Sequence, residues 1–212
     1  MKVFIDCDVA VKLAQWGLLN RFVLHLQKQG RADLFTVGTL KFKFKLATPD
    51  KAAVIVGSMA AVQQLTSFVA ACRVAKGHSA QLAETLSQIP LIDAGEAALF
   101  AAAAEFDAAI VDTGDKKALR AVGAALKTRP LLTSLSGKLA CLEQTMDYLV
   151  DRWSFDTVHA AVASHAKADT SVNSCFAHGA QAMAQLTLRA KVAELTADCG
   201  PLLSTAPFDW VS

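Results

Sequence analysis

The sequence predicts an α/β fold with parallel strands, and three observations predict it. The chain opens on a short apolar strand, Val3-Phe4-Ile5, followed at once by an amphipathic helical stretch. A second apolar strand, Ala108-Ala-Ile-Val111, lies between two helical stretches. Both strands end in carboxylates: Asp6 and Asp8 after the first, Asp112 and Asp115 after the second. Strands alternating with helices build βαβ units, and these pair in parallel. In open sheets of that kind, ligands bind outside the carboxyl ends of the strands.

In chain order, Val9 to Lys28 reads as one helix, with Leu13, Trp16, Leu19, Val23 and Leu26 recurring on one face and Gly30 closing it. Within Phe35 to Leu46, Lys41-Phe-Lys-Phe-Lys45 alternates with period two, which predicts a strand with three lysines on one side. Lysines there protect an edge strand or form a basic rail for a phosphate backbone. Pro49-Asp50 starts a long helix to about Lys76, broken by Gly77-His78. Ser79 to Gln88 is a further amphipathic helix, stopped by Pro90.

Asp93-Ala-Gly-Glu96 has the spacing of a capping box and opens a helix through Glu105. After the second strand, Thr113-Gly-Asp115 turns into a helix from Lys116 to Leu126. Thr133 to Gly137 reads as a loop and Lys138 to Val150 as a helix. The composition shifts after Trp153, which sets a soft boundary: residues 1–152 form the α/β domain and 153–212 a helical C-terminal extension. Phe155–Ala166 and Val172–Leu195 are its two helices, split by Asp169-Thr-Ser171. The last ten residues are expected to be loosely held. The extension is a candidate surface for self-association or a protein partner.

The 212 residues are 53% hydrophobic, ample for a core, and a net charge of +2 gives no global field favouring nucleic acid or membrane. Five cysteines, an odd number without a zinc-like spacing, suggest reduced thiols and a cytoplasmic setting. The opening strand argues against a targeting peptide. No apolar run reaches the length of a membrane span.

The chemistry lies in the carboxylates Asp6, Asp8, Glu96, Asp112 and Asp115. Neighbouring parallel strands bring Asp6, Asp112 and Asp115 to one rim, and a helix start adds Glu96. Like charges that close do not stay ionised together unless a cation sits among them. Hard oxygen donors suit magnesium or manganese. Such a site activates water and clamps a phosphate during in-line displacement. Each acid also has a plainer account: Glu96 as partner of the Asp93 cap, Asp115 as an anion at a helix N-terminus, Asp6 and Asp8 as loop residues. Placement after two separate strands favours the site.

Three segments resemble the motifs of PIN-domain nucleases. Phe4-Ile-Asp6-Cys-Asp8-Val-Ala resembles the first, Ala94-Gly-Glu96-Ala-Ala the second, and Ile110-Val-Asp-Thr-Gly-Asp115-Lys-Lys-Ala-Leu the third. Leu135-Ser-Gly137-Lys-Leu-Ala-Cys-Leu resembles the strand-and-helix segment that often follows. The resemblance covers residues 1 to about 150. It implies a three-layer α/β/α sandwich with a mainly parallel central sheet, and metal-dependent cleavage of phosphodiester bonds, RNA more often than DNA. Carried across, Asp6, Glu96 and Asp115 are the metal-binding acids, with Asp112 or Asp8 as the fourth. Lys116, beside Asp115, joins Lys41, Lys43 and Lys45 as a candidate nucleic-acid contact.

Two other readings remain. Asp6-Cys-Asp8-Val also resembles the opening of haloacid-dehalogenase-type phosphatases, with Asp6 as nucleophile and Asp8 as general acid. No acid follows Asp115 at the short interval those enzymes use. The third reading, from a non-enzyme class, is a PIN-like fold used for binding or as a neutralised partner in a toxin–antitoxin pair, against which the intact acids argue. The five histidines form no metal-binding motif, and Cys7, between two acids, is a poor nucleophile.

Overall fold

The computed structural model describes residues 1–28, 32–77 and 79–211. Gly30 and His78, named above as helix breakers, lie outside the described residues. Strand β1 (Lys2–Ile5) leads into α1 (Cys7–Gln15), whose N-cap is Asp6. The single helix expected over Val9–Lys28 is two, because Gly17 at φ +72° ends the first and α2 (Leu19–Lys28) begins a turn later. The apolar face runs on across the break, so periodicity alone does not reveal the turn.

Strand β2 (Asp33–Thr36) is followed by α3 (Leu40–Lys43), which corrects the alternating strand expected over Lys41–Lys45. Leu40 and Phe44, four apart, are buried, whereas Phe42 is 71% exposed. The helical period therefore wins over the period of two, and Lys41, Lys43 and Lys45 do not share a strand face. The long helix expected from Pro49 is also divided. Helices α4 (Pro49–Val56) and α5 (Met59–Ala71) meet at 107°. Gly57 at φ +103° makes the corner and Ser58 caps α5, its side chain accepting the Ala61 N–H. The short strand β3 (Arg73–Val74) occupies the end of that expected helix.

Helix α6 (Ala80–Ser87) precedes α7 (Ala94–Ala104), where both hydrogen bonds of the Asp93–Glu96 capping box form. Strand β4 (Ala109–Thr113) runs two residues past the expected Val111, so Asp112 lies inside it. Helix α8 (Lys116–Leu126) follows, and a 3-10 turn spans Pro130–Leu135. Strand β5 (Leu139–Cys141) takes the front of the expected Lys138–Val150 helix, and α9 (Leu142–Arg152) takes the remainder. The tail holds α10 (Phe155–Ser164), α11 (Thr170–Phe176) and α12 (Gln181–Cys199). The helix expected over Val172–Leu195 is broken between α11 and α12, where Gly179 has φ +64°.

The five strands pair in parallel in the order β3-β2-β1-β4-β5. Helix α7 covers one face with α6 outside it, while α1 and α9 cover the other. The fold is thus α/β, a three-layer α/β/α sandwich with an all-parallel sheet and a helical C-terminal part. Phe4 and Phe35, register partners on β1 and β2, stack at 4.7 Å within the α7 layer.

The tail shares this core. Helix α12 packs on α8 and α9 so closely that a Cβ on Gly123 would lie 2.7 Å from the Cys199 Cα. Leu203 bridges to Leu139 of β5, and Phe208 is buried against Phe22 and Tyr148. The final segment, expected to be loose, is packed down through Phe208. Among the described residues, no single helix is long and apolar enough to cross a membrane.

Candidate functional site

From β1 the chain proceeds to β2 and β3 on one side of the sheet, and β4 and β5 lie on the other. The order therefore reverses between β1 and β4, the place where open parallel sheets form a crevice. Asp6 follows β1 and the Thr113-Gly114-Asp115 turn ends β4, so both stand at that crevice. An open recess of about 530 Å³ lies there. Its acids are Asp6, Asp8, Asp93, Glu96, Asp115 and Asp169, and its cations are Lys43, Lys116, Lys117 and Arg120.

Three of these acids are fixed by backbone amides. Asp6, 8% exposed, accepts the Cys7 N–H at 2.7 Å through Oδ1, and its Oδ2 accepts the Thr113 hydroxyl at 3.3 Å. Glu96, 5% exposed, accepts the Asp93 N–H at 2.9 Å as the reciprocal half of the capping box. Asp115 is the N-cap of α8, its Oδ1 accepting the Lys117 and Ala118 N–H groups at 2.8 and 3.0 Å. The plainer accounts of Glu96 and Asp115 thus hold together with their place at the recess.

Burial and mutual repulsion raise the proton affinity of this group. Glu96 is pushed up to about 8, first by burial and then by Asp115, Asp6 and Asp93. Burial raises Asp6 as well, with Asp8 adding to it against the Cys7 N–H. The Cys7 thiol is pushed up to about 12, by burial first and by Asp6 second, which makes it a poor nucleophile.

Two of the acids named from sequence are placed differently from expectation, Asp112 by position and Asp8 by its partner. Asp112 is 0% exposed and lies behind the recess, not in its lining. Its register partner is Ile5, so its side chain points into the layer of α9, where Oδ2 accepts the Thr145 hydroxyl at 2.6 Å. Its Oδ1 has no hydrogen-bond partner, and burial pushes its carboxyl up to about 7. Asp8 lies in the recess, but in the first turn of α1 rather than a loop, and it is engaged by Lys12 one turn on. Of the lysines, Lys43 and Lys116 line the recess and Lys41 and Lys45 do not.

Compared with family models, curated proteins and solved structures, the chain finds no match. The site is therefore read from its own geometry. Among the described residues, no group of three or more His, Cys, Asp or Glu side chains is placed to hold a metal ion. The donor set is nonetheless of one kind, carboxylate oxygen, which suits a hard divalent cation.

Several residues of the site were not found from sequence. Thr113 links the β4 turn to Asp6, and its Oγ1 also accepts the Asp115 N–H at 3.2 Å. Lys12 and Asp169 form an ion pair at 2.8 Å. Glu143 of α9, 1% exposed on its side chain, pairs with Lys116. The spacing of Asp8 and Lys12, four apart on a helix, was a legible signal. Nothing in the sequence links Asp169 or Glu143 to the recess, because those contacts cross 157 and 27 residues of chain.

Proposed function

We propose that this chain is a divalent-metal-dependent nuclease of PIN type that cleaves phosphodiester bonds, RNA before DNA. The observation that carries it is the gathering of Asp6, Glu96 and Asp115, from three separate motifs, around one open recess edged by Lys43, Lys116 and Lys117. The raised Asp6 and Glu96 carboxyls speak for a cation, since burial and then the neighbouring acids oppose the ionised form of each. Magnesium keeps several of its waters and takes only one or two protein carboxylates beside substrate phosphate, so a loosely spaced acid set suits it. Magnesium or manganese, held by Asp6, Glu96 and Asp115, would supply charge neutralisation and an activated water when bound.

The chain's own groups account for the remaining work. Asp6 and Asp115 are held in place by the Cys7, Lys117 and Ala118 amides, so little reorganisation opposes them. Burial and the neighbouring acids favour a proton on Glu96, and a bound cation would favour its carboxylate form instead. Lys43 and Lys117 offset the charge of a phosphate backbone entering the recess, while the Lys116 ammonium is already engaged by Glu143. The phosphatase reading needs Asp8 as a general acid, which fits poorly with a carboxylate engaged by the Lys12 ammonium.

The test uses the full chain with single-stranded RNA, single-stranded DNA and a chromogenic phosphate monoester, each with manganese and with chelator. RNA cleavage that needs manganese and is lost in Asp6→Asn is the expected result. Phosphate release from the monoester alone would transfer the assignment to a phosphatase. No turnover of any substrate would favour a binding role.

A further inference from the structure

The tail reaches the recess through two lysines. Asp169 is the N-cap of α11, its Oδ1 accepting the Val172 N–H at 2.8 Å, while its Oδ2 meets Lys12 Nζ at 2.8 Å. Lys12 also pairs with Asp8 Oδ2. That same oxygen lies against Gly114, where a Cβ would overlap it. Asp169, Lys12, Asp8 and Gly114 thus form a continuous line of contacts, and the next residue is Asp115. The second connection is parallel. Lys116 Nζ donates to Ser171 Oγ at 2.9 Å and pairs with Glu143, whose buried Oε2 has no partner. Ser171 Oγ closes the triangle by donating to Glu143 Oε1 at 3.3 Å.

The charges distribute accordingly. One ammonium, Lys12, stands between two carboxylates. Asp8 and Asp169 are therefore occupied, and Asp6, Glu96 and Asp115, with the cap residue Asp93 beside Glu96, are the recess acids that no ammonium engages among the described residues. Burial pulls the Lys12 ammonium down, but Asp8 and Asp169 outweigh it and its proton affinity is raised. Lys12 and Asp169 side chains are only 15% and 13% exposed, so neither charge has full access to water if its partner is removed.

We propose that Asp169 and Ser171 are positioning residues of the carboxylate site. Helix α11 clamps Lys12 and Lys116 and so fixes the Thr113–Lys116 turn that presents Asp115. The clamp itself stands on the contacts alone; its effect on cation binding rests on the function proposed above. The experiment has one readout for each. Asp169→Asn keeps an N-cap acceptor and removes only the charge. Lys12→Met removes the ammonium, Lys12→Arg keeps it, and Ser171→Ala breaks the second connection.

Amide hydrogen exchange in chelator reads the turn directly. The Asp115 N–H donates to Thr113, and the Lys117 and Ala118 N–H groups donate to Asp115. Asp169→Asn and Lys12→Met should speed exchange at these three amides by about tenfold while leaving the β1 amides as in wild type, and Lys12→Arg should restore them. Wild-type exchange at all three amides in both variants overturns the clamp, as does faster exchange spread evenly over β1 and the turn. The second readout is the rise in melting temperature on adding manganese, which should shrink in Asp169→Asn and in Ser171→Ala. A full manganese shift in both would cut the clamp off from the cation. A wild-type protein with no manganese shift would sink the metal reading of the recess, and exchange would still decide the clamp.

Discussion

Glu96 carries the clearest residue-scale consequence. Its carboxyl is near 8 in the fold and near 4.5 when unfolded, so the folded chain binds the extra proton between those values. Stability from this group is fully present below about pH 4.5 and is lost as pH rises through about 8. Asp6 and Asp112, raised by burial, act in the same sense. In chelator the melting temperature should therefore fall across that window, and Glu96→Gln, which keeps an acceptor for the Asp93 N–H, should flatten the fall. Calorimetry at a series of pH values measures it; an unchanged slope would show that Glu96 ionises as an ordinary surface acid. Gly114 gives a second test. An added methyl would press on the Asp8 carboxylate, so Gly114→Ala should destabilise by about 1–3 kcal/mol. Asp8→Ala in the same chain should recover part of that loss, because the colliding group is gone. Strict additivity in the double variant would mean the two residues do not touch in solution.

Among the elements, α3 changes most between sequence and structure, and it changes what its lysines do. On a strand, three alternating lysines would share one face. On the helix, Lys43 alone reaches the recess, while Lys41 lies over the Phe42 ring at 5.0 Å. Lys43→Gln should thus weaken binding of single-stranded RNA and lower the salt slope by about one, measured in chelator. Lys41→Gln and Lys45→Gln should leave the slope near that of wild type. Equal effects of all three substitutions would contradict the helical placement. The neighbouring corner follows the same logic. Gly57 holds φ +103° with the His165 ring 3.4 Å from where a Cβ would stand. A side chain there meets both a backbone penalty and a neighbour.

For the whole molecule, the tail behaves as part of the fold. Helix α12 contributes Leu188, Leu195 and Cys199 to the core, and Phe208 fills the space between α2 and α9. Ending the chain at Arg152 would expose those surfaces, remove Asp169 from the recess and take Ser171 from Lys116. The shortened protein should aggregate or change its oligomeric state, seen by size-exclusion chromatography with light scattering. A stable, fully active monomer would show the tail to be dispensable.

Local signals that complete themselves within a few residues were legible in the sequence. The Asp93–Glu96 box and the helix after Asp115 depend on adjacent side chains and amides and form where the sequence predicts them, while the β1–Asp6 and β4–Asp115 junctions form with bounds shifted by two residues. Helix breaks at Gly17 and Gly57 were not legible, because an apolar face can continue across a turn and only packing decides whether the backbone bends there. The Lys-Phe alternation is ambiguous for a related reason: five residues match either period, and burial of Leu40 and Phe44 chose the helix. Asp112 sat at the right rim by sequence, yet strand pairing with β1 turned its side chain toward Thr145 and away from the recess. The sequence by itself determined which carboxylates end the strands and open the helices, since capping and strand ends are short-range chemistry. The tertiary structure alone decided which of them face one another, and that Lys12 and Lys116 meet Asp169 and Glu143, because register and helix packing join residues far apart in the chain.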